Sequence, residues 1–388
     1  MTDPTSSALN IADLRALARK RLPRGLFDFI DRGAEDDAAL ANNRAALARI
    51  KLRPRILVDV SRRSQATSLF GKPHTMPLAI APTGPTGMMW YRGEVALARA
   101  AARAGIPFTL ASPATTAMEE VMAEAGGTQW FQLYMWKDRE KSYRILERAK
   151  AAGFEALVVT VDAIVAPNRE FHARSGFTLP MRLNARNLFD LATHPRWLFG
   201  VAGKYWANGG MPRPRNYNTG KGEPVVVRRI GQTIDKNESL TFDDLRILRD
   251  KWPRTLIVKG ILHPHDAIAA ADCGADGIVV SNHGGMSCDA AAAPIEALPA
   301  IADAVGGRLT ILIDSGFRRG SDVVKALALG AHAVLSGRST LYGLAAGGSE
   351  GALRAIEILR AEIDRTLASI GCASLADLTR DHVLLPPK

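Results

Sequence analysis

Eight short apolar segments rich in β-branched residues recur along the chain, and most are followed by an alanine-rich stretch with helical periodicity. Their hydrophobicity is continuous rather than alternating, which is what strands buried on both faces of a parallel sheet require. The predicted strands cover residues 78–83, 107–112, 130–134, 156–162, 255–260, 277–282, 309–314 and 333–337. Eight such β/α units favour an α/β fold of the closed (β/α)8 TIM-barrel type, with a doubly wound open sheet as the alternative.

Two stretches lie outside this β/α rhythm. Residues 1–77 carry helix-like patterns before the first predicted strand. Residues 163–254 separate the fourth and fifth strands, which is far longer than a β/α connection needs. We therefore expect one barrel domain over residues 1–388, with a helical lead-in over 1–77 and a lid insertion over about 177–238.

The insertion combines aromatic and aliphatic side chains with arginine and lysine. One interpretation is a lid packed over the barrel mouth, because long loops in compact domains usually carry function. The other is a basic, aromatic surface for peripheral contact with a membrane. The apolar members of this stretch are Met181, Leu183, Leu188, Phe189, Trp197, Leu198, Phe199, Tyr205 and Trp206.

The net charge of +11 would suit nucleic acid, an anionic membrane surface or an anionic ligand. Nucleic acid is not expected, because the basic residues are spread along the chain without a known nucleic-acid-binding pattern. The three cysteines form no CxxC pair, so neither a disulfide framework nor a metal site is predicted. No apolar signal core or long apolar run occurs, which favours a cytoplasmic location, extended at most to the inner face of the membrane.

Polar side chains stand at the carboxyl ends of the predicted strands, where the active sites of such barrels form. A single strand-end serine, threonine or histidine is more often structural than catalytic. The whole set at equivalent positions is harder to attribute to chance, and it predicts a functional site at this end. Its members are Thr83, Ser112, Gln132, Tyr134, Thr160, Asp162, Lys259, Ser281, His283, Asp314 and Arg338.

The loops after the seventh and eighth strands predict a phosphate site. The first loop is DSGFRRGSD, with Arg318 between glycines, and the second is SGR, with Gly337 and Arg338. Loops at these two positions commonly bind phosphate through glycine N–H groups and a fixed cation. No GxGxxG motif follows a strand, so a nicotinamide site of the Rossmann type has no support.

The segment SNHGG places His283 directly after the sixth strand. Two glycines next to the histidine would let the backbone approach a ligand closely. Asp162 ends the fourth strand across the barrel mouth and could fix the tautomer of His283 and stabilise its imidazolium. Lys259 ends an apolar strand and would place a positive charge at the barrel centre, where it could stabilise an anionic cofactor.

Taken together, SNHGG, TVD…RE, FQLY, VKG and DSGFRRGSDVVKALALGA…GR closely resemble the motifs of the FMN-dependent 2-hydroxy-acid oxidoreductases. This family includes glycolate oxidase and the lactate and mandelate dehydrogenases. The resemblance runs from about residue 22 to residue 378. It implies a flavoprotein with bound FMN that oxidises a 2-hydroxy acid by hydride transfer to flavin N5, and a homo-oligomer, commonly a tetramer.

The resemblance also assigns roles to individual residues. His283 would be the base that takes the hydroxyl proton, with Asp162 supporting it, Tyr134 hydrogen-bonding the reacting oxygen and Arg169 beside the substrate. The residues that would contact the cofactor are Pro82, Thr83, Gly84, Ser112, Gln132, Thr160, Lys259, Ser281, Asp314, Arg318, Gly337 and Arg338.

Two departures from the family pattern fall in the substrate site. Met286 stands where SNHGGRQLD has an arginine that clamps the substrate carboxylate, and Phe27 stands where a tyrosine is usual in LPxxxYDY. Neither side chain can donate a hydrogen bond to an anion. The substrate is therefore expected to be larger or less anionic than lactate, such as an aromatic or amide-capped 2-hydroxy acid, a related alcohol or amine, or a modified peptide terminus.

Two other interpretations stay open at this point. One is a conventional 2-hydroxy-acid dehydrogenase or oxidase whose carboxylate site has been relocated. The other is a flavin-binding protein without catalysis, although the retained His283, Asp162, Tyr134 and Arg169 would then have no evident use. The sequence does not separate oxygen, a quinone or a carrier protein as the electron acceptor.

Overall fold

The computed structural model describes residues 4–175, 185–217 and 237–385, and within them eight parallel strands close a barrel in chain order. Each strand matches one predicted apolar segment to within two residues at either end. The prediction of a closed barrel is therefore confirmed, and the open doubly wound sheet is excluded. The strands are β1 (Leu78–Thr83), β2 (Phe108–Ala111), β3 (Gln129–Tyr134), β4 (Ala156–Thr160), β5 (Thr255–Ile261), β6 (Gly277–Val280), β7 (Thr310–Ile313) and β8 (Ala333–Ser336).

The segment before the barrel contains three helices, α1 (Ile11–Arg21), α2 (Arg24–Asp31) and α3 (Ala38–Arg49). It also contains a short antiparallel hairpin, Thr67–Leu69 with Lys72–His74, which the helical prediction for this region missed. Strands of three residues are too short to show a period of two in the sequence.

Helices follow the strands on the outside of the barrel. Several end where a glycine adopts a left-handed conformation, as Gly105 (φ 69°) and Gly153 (φ 95°) do. In chain order the helices are α4 (Gly93–Ala104), α5 (Met118–Ala125), α6 (Arg139–Ala152), α7 (Glu170–Ser175), α8 (Ala185–Ala192), α9 (Pro195–Trp197), α10 (Lys204–Ala207), α11 (Phe242–Lys251), α12 (Pro264–Asp272), α13 (Pro294–Val305), α14 (Gly320–Ala328) and α15 (Arg338–Ser369, with a kink at Gly347–Gly348).

Helices α7 to α10 belong to the long insertion between β4 and β5. Trp197 is buried and its Nε1 donates to the Met88 carbonyl at 2.8 Å, which fixes this part of the insertion beside the loop after β1. Residues 176–184, with Met181 and Leu183, and residues 218–236 lie outside the described residues. The lid over about 177–238 therefore stays a prediction. No helix in the described ranges combines the length and the hydropathy needed to cross a bilayer.

The barrel interior is filled mostly by small and branched side chains, contributed by β1 and by β3 to β8, and its amino-terminal end is closed. Leu69 and Phe70 of the hairpin pack against that interior, and the Phe70 ring meets the Trp130 ring edge-on at 5.8 Å. The site must therefore open at the carboxyl ends of the strands. The interior residues are Ala79, Ala81, Trp130, Ala156, Val158, Ile257, Val279, Leu312, Ala333 and Leu335.

Segments from the first and the last parts of the chain meet on the outside of the barrel. Lys51–Leu52 pairs antiparallel with Val383–Leu384. Helix α15 also lies beside the start of the chain, where Arg354 donates to the Ala8 carbonyl at 2.7 Å. The lead-in, residues 4–77 of the described chain, is thus joined to the last elements of the chain. Its helices α2 and α3 lie beside the barrel mouth.

Candidate active site

Two adjoining cavities open at the carboxyl ends of the strands. The inner cleft, of about 180 Å³, runs from Phe29 and Pro82 to Arg318 and Arg338. The outer pocket, of about 150 Å³, lies on the side of the insertion. Four side chains line both cavities, so any molecule in one is in reach of a molecule in the other. These four are Tyr134, Arg169, His283 and Met286.

His283 follows β6 in a left-handed conformation (φ 57°) that turns its ring toward the cavities. Its Nδ1 lies 2.8 Å from Asp162 Oδ1, and its Nε2 lies 3.3 Å from the Tyr134 hydroxyl. Because a carboxylate can only accept, the ring proton belongs on Nδ1. The lone pair of Nε2 therefore faces the place where the two cavities meet, which is the arrangement of a general base.

Asp162 stays ionised beside His283. Burial works to raise the pKa of this carboxyl, but the adjacent His283 ring and the Lys259 ammonium outweigh burial and hold the pKa below its usual value. Gly260 makes room for this carboxylate, since a Cβ there would lie 2.5 Å from the Asp162 Cβ and the backbone has a φ of 114°. The VKG motif thus reflects a close approach between β5 and Asp162, the second residue after β4.

Tyr134 at the end of β3 is a hydrogen-bond donor at neutral pH. Burial is the main reason that its pKa rises to about 12, and the nearby Asp162 adds to the effect. Its hydroxyl is the second polar group, after the His283 imidazole, at the junction of the cavities.

Lys259 is a fully buried cation at the end of β5. Its Nζ donates to the Ser281 hydroxyl at 2.9 Å and lies 3.2 Å from Asp314 Oδ2. Burial works to lower the pKa of Lys259, but Asp314 and Asp162 outweigh it and raise the pKa to about 12. The ammonium is therefore permanently charged on the wall of the inner cleft.

Arg169 lies across the mouth from His283 and faces both cavities. Its guanidinium carbon sits 5.5 Å from the centre of the Phe29 ring, a cation–π contact, and burial lowers its pKa. Its Nε has no hydrogen-bond partner, and within the described ranges no carboxylate pairs with it. Arg169 is thus a partly desolvated cation that pairs with no carboxylate of the residues that the structure describes.

The far end of the inner cleft carries Arg318 and the start of α15. The Arg318 guanidinium lies 5.2 Å from the Tyr342 ring centre and, in the part of the chain described, forms no ion pair with a carboxylate. Arg319 points away and pairs with Glu362 at 2.6 Å. A cation next to the N-terminus of a long helix fits a bound anion such as phosphate.

Arg338 was predicted to bind phosphate, but its guanidinium is hydrogen-bonded to three backbone carbonyls of this chain. It donates to the carbonyls of Ile30 (2.9 Å), Gly284 (2.7 Å) and Arg32 (2.9 Å). Burial and the neighbouring Arg318 lower its pKa to about 10. This side chain therefore ties α2 to the His283 loop, while residue 338 still lines the cleft.

Eight of the twelve predicted cofactor residues line the inner cleft. Thr160 lines the outer pocket instead, and three others lie just behind the cleft wall. Gln132 donates to Thr160 Oγ1 at 2.9 Å, and Ser281 accepts from Lys259. Ser112 is fully buried, bonded to Gln132 and Tyr217, and its neighbours Ala111 and Pro113 form the wall instead. The Ser112 side chain therefore lies behind the cleft wall, because side chains of successive residues at the strand end point to opposite sides, and its contact with the cofactor stays a prediction.

The prediction for Phe27 needs a correction. Phe27 packs on the Tyr342 ring at 6.5 Å, away from both cavities, whereas Phe29 lines the inner cleft and contacts Arg169. Two residues along a helix are about 200° apart, so only one of two such aromatic side chains can face the cleft. Sequence reasoning also missed Ile164, Asn237, Leu240 and Ser287, which line the outer pocket.

A (β/α)8 barrel with a histidine–aspartate pair and a cationic cleft end at its mouth fits one class of protein, the flavin-dependent oxidoreductases built on this barrel. Comparison with known proteins is more specific, because the FMN-dependent dehydrogenase family matches residues 18–385. The chain belongs to this family. It is an FMN-dependent oxidoreductase of the 2-hydroxy-acid dehydrogenase and oxidase group, as the sequence motifs predicted.

The similar proteins act, by their names, on small 2-hydroxy acids. The chain is 45% identical over 370 residues to an L-lactate dehydrogenase of Caulobacter sp. strain K31, covering 95% of this chain and 96% of that protein. It is 41% identical over 379 residues to the (S)-mandelate dehydrogenase of Pseudomonas putida, covering 98% and 94%. A crystal structure of the monotopic membrane protein (S)-mandelate dehydrogenase has a TM-score of 0.91 at 40% identity, covering 98% of this chain and 100% of that chain.

Proposed function

We propose that the protein oxidises a 2-hydroxy acid with an apolar side chain, or a closely related alcohol or amine, with His283 as the base. The observation that carries this proposal is the opening of the His283–Asp162–Tyr134 group onto an apolar pocket. Among the described residues that line the outer pocket, Arg169 is the one arginine or lysine. The other lining side chains are mostly apolar and include Met135, Ala163, Ile164, Pro167, Leu240 and Met286.

The inner cleft fits FMN. Among the described residues, the buried Thr83 hydroxyl has no hydrogen-bond partner and Arg318 pairs with no carboxylate, and Lys259 supplies a positive charge at the other end of the cleft. Arg318 and the N-terminus of α15 would hold the phosphate, Asp314 the ribityl hydroxyls, and Lys259 with Thr83 the ring system. When bound, FMN accepts the hydride from the carbon that bears the substrate hydroxyl.

The residues of this chain manage the proton and the charges. His283 Nε2 takes the hydroxyl proton while the C–H bond gives up its hydride, so that a carbonyl group forms. The Asp162 carboxylate, 2.8 Å from Nδ1, stabilises the resulting imidazolium. Tyr134 donates a hydrogen bond to the reacting oxygen, and Arg169 holds a carboxylate or carbonyl group of the substrate.

The substrate half of the site favours a bulky apolar side chain. Met286 and Phe29 line the cavities where a hydrogen-bond donor would be needed to share a carboxylate with Arg169. A cavity of about 150 Å³ can hold a benzene-sized group. An aromatic 2-hydroxy acid such as mandelate, or its amide, therefore suits the pocket better than glycolate or lactate.

We expect the protein to reduce its bound FMN with an aromatic 2-hydroxy acid roughly 100-fold more efficiently than with lactate or glycolate. Burial of a phenyl-sized group contributes about 2–3 kcal/mol that a methyl group or hydrogen atom does not. The measurement is kcat/KM from anaerobic bleaching of the flavin absorbance. Lactate turnover equal to that of the aromatic acid would contradict the proposed substrate class.

The double change Met286→Arg with Phe29→Tyr is the matched variant for this test. It restores two donors beside Arg169, so kcat/KM for lactate should rise while that for an uncharged hydroxy amide should not. An unchanged lactate rate would instead favour a carboxylate site relocated to other residues.

We also propose that the surface of α8 to α10 contacts a membrane peripherally. Phe189, Phe199 and Trp206 are 73%, 74% and 81% exposed, next to the exposed Lys204 and Arg196. Exposed aromatic side chains among cations suit the interface of an anionic bilayer. The similar (S)-mandelate dehydrogenase described as a monotopic membrane protein supports this proposal.

Co-sedimentation with phosphatidylglycerol vesicles tests the membrane proposal. The change Phe199→Ser with Trp206→Ser should weaken vesicle binding by at least about tenfold, because two anchoring side chains are lost. Leu9→Ser is the control, since Leu9 is 78% exposed outside this surface. Equal binding by all three proteins, or none by the unaltered protein, would contradict the proposal.

A further inference from the structure

Helix α3 lies across the loops that follow β6 and β7, although it precedes the barrel in the chain. Its Asn43 is bonded to Asn282 in the first loop, and its Arg44 is bonded to the Gly316 carbonyl in the second at 2.5 Å. We infer that Asn43 is a positioning residue that holds the His283 loop in its active conformation. This inference rests on the proposed role of His283 as the base.

The contact between Asn43 and Asn282 is a reciprocal pair of amides. Asn43 Nδ2 donates to Asn282 Oδ1 at 3.0 Å, and Asn282 Nδ2 donates to Asn43 Oδ1 at 2.7 Å. Both side chains are almost fully buried, at 1% and 3% exposure. A buried amide that loses its partner leaves polar groups unsatisfied, at a cost of about 1–3 kcal/mol. The pair therefore fixes Asn282 firmly.

Asn282 in turn spans the loop that carries His283. Its Oδ1 also accepts from Gly285 N at 3.1 Å, and its Nδ2 also donates to the Ala292 carbonyl at 3.1 Å. These bonds close the loop on both sides of His283, which has a positive φ that non-glycine residues rarely adopt. The side chain next to the base thus maintains the strained turn that aims the imidazole.

The start of α3 and the residues before it pack closely against the His283 loop. A Cβ on Gly285 would lie 2.6 Å from Leu40 N, and the Gly285 carbonyl accepts from Ala34 N at 2.8 Å. Asp289, at the end of the same loop, accepts from the Asp36 and Ala39 N–H groups. The His283 loop therefore packs against the lead-in. Within this contact, Asn43 of α3 binds Asn282, the residue next to His283.

Arg44 shows that the neighbouring position serves a different loop. Its guanidinium pairs with Asp322 at 2.6 Å, and Asp322 accepts from the N–H groups of Arg318 and Arg319. Arg44→Ala should therefore lower the affinity for FMN, whereas Asn43→Ala should act on the proton-transfer step. The two adjacent residues predict two separable defects.

We expect Asn43→Ala to lower the rate of flavin reduction about 10- to 100-fold with FMN content unchanged, because a misplacement of about 1 Å at a reacting group can cost that much. Asn42→Ala, a half-buried neighbour on α3, is the control and should change neither quantity. Asn43→Asp keeps the shape of the side chain and serves as the second variant if the alanine variant is not folded by circular dichroism.

The deciding variant combines Asn43→Ala with His283→Ala. If Asn43 acts through His283, the double variant should reduce FMN at the same residual rate as His283→Ala alone. A further loss in the double variant, or an unchanged rate in Asn43→Ala, would overturn the inference. Unimpaired reduction in His283→Ala alone would show that the proposed function itself fails, a result that is distinguishable from the other two.

Discussion

Replacing His283 with alanine is expected to slow the reduction of bound FMN by substrate roughly 100- to 10,000-fold, the range typical for loss of a general base. FMN should remain bound, because the cation at each end of the inner cleft is retained in Lys259 and Arg318. The measurement is the anaerobic bleaching of flavin absorbance after rapid mixing with the preferred 2-hydroxy acid.

His265→Ala is the matched control for the His283 variant. This histidine is exposed on α12 and outside both cavities, so its loss should leave the rate unchanged. Full activity in His283→Ala would place the base elsewhere. If the unaltered protein reduced its flavin with none of the acids, amides, alcohols or amines tested, a non-catalytic flavin-binding role would be favoured instead.

Replacing Arg169 with methionine is expected to lower kcat/KM for a 2-hydroxy acid roughly 30- to 5,000-fold. This factor corresponds to a loss of about 2–5 kcal/mol of transition-state stabilisation. The reason is that Met286 and Phe29 leave Arg169 as the cation that faces both cavities beside His283. The corresponding hydroxy amide should lose much less, because it carries no charge to be left unpaired. The ratio of acid to amide efficiency is therefore the quantity to measure.

Arg174→Met is the control for this ratio, because Arg174 lies on α7, the helix that begins directly after Arg169, and is paired with Glu170 at 2.6 Å. It should leave the ratio of acid to amide unchanged. An Arg169 variant that lost as much efficiency toward the amide as toward the acid would show that Arg169 does not bind the carboxylate. The acid would then be held by other residues.

The barrel could be predicted because its strands are buried on both faces. Continuous apolar segments such as 156–162 have few other uses in a chain of this length, and the helices between them carry ordinary start and stop signals. The clustering of the polar strand-end side chains could also be predicted, because a barrel brings the carboxyl ends of all its strands to one face. Asp162 and His283 thus meet at 2.8 Å although 121 residues separate them.

What the sequence could not supply is the direction of individual side chains. Phe27 and Phe29 are the same residue type two positions apart in the sequence. Only the packing of α2 against Tyr342 decides which of them faces the cleft. The sequence likewise does not show that the Ser112 side chain, just after β2, points away from the cleft toward Gln132. Pairing between distant polar residues is also invisible, since nothing local links Asn43 to Asn282, 239 residues later.

The contacts between early and late segments of the chain have a consequence for biosynthesis. The His283 loop rests on α3 near the start of the chain, and its carbonyl at Gly284 is held by Arg338, near the end. The last strand of the barrel and the pairing of Lys51–Leu52 with Val383–Leu384 come later than almost every other element. A ribosome therefore releases the early helices long before their partners exist, and the inner cleft has all its lining residues only after Leu341 has been synthesised.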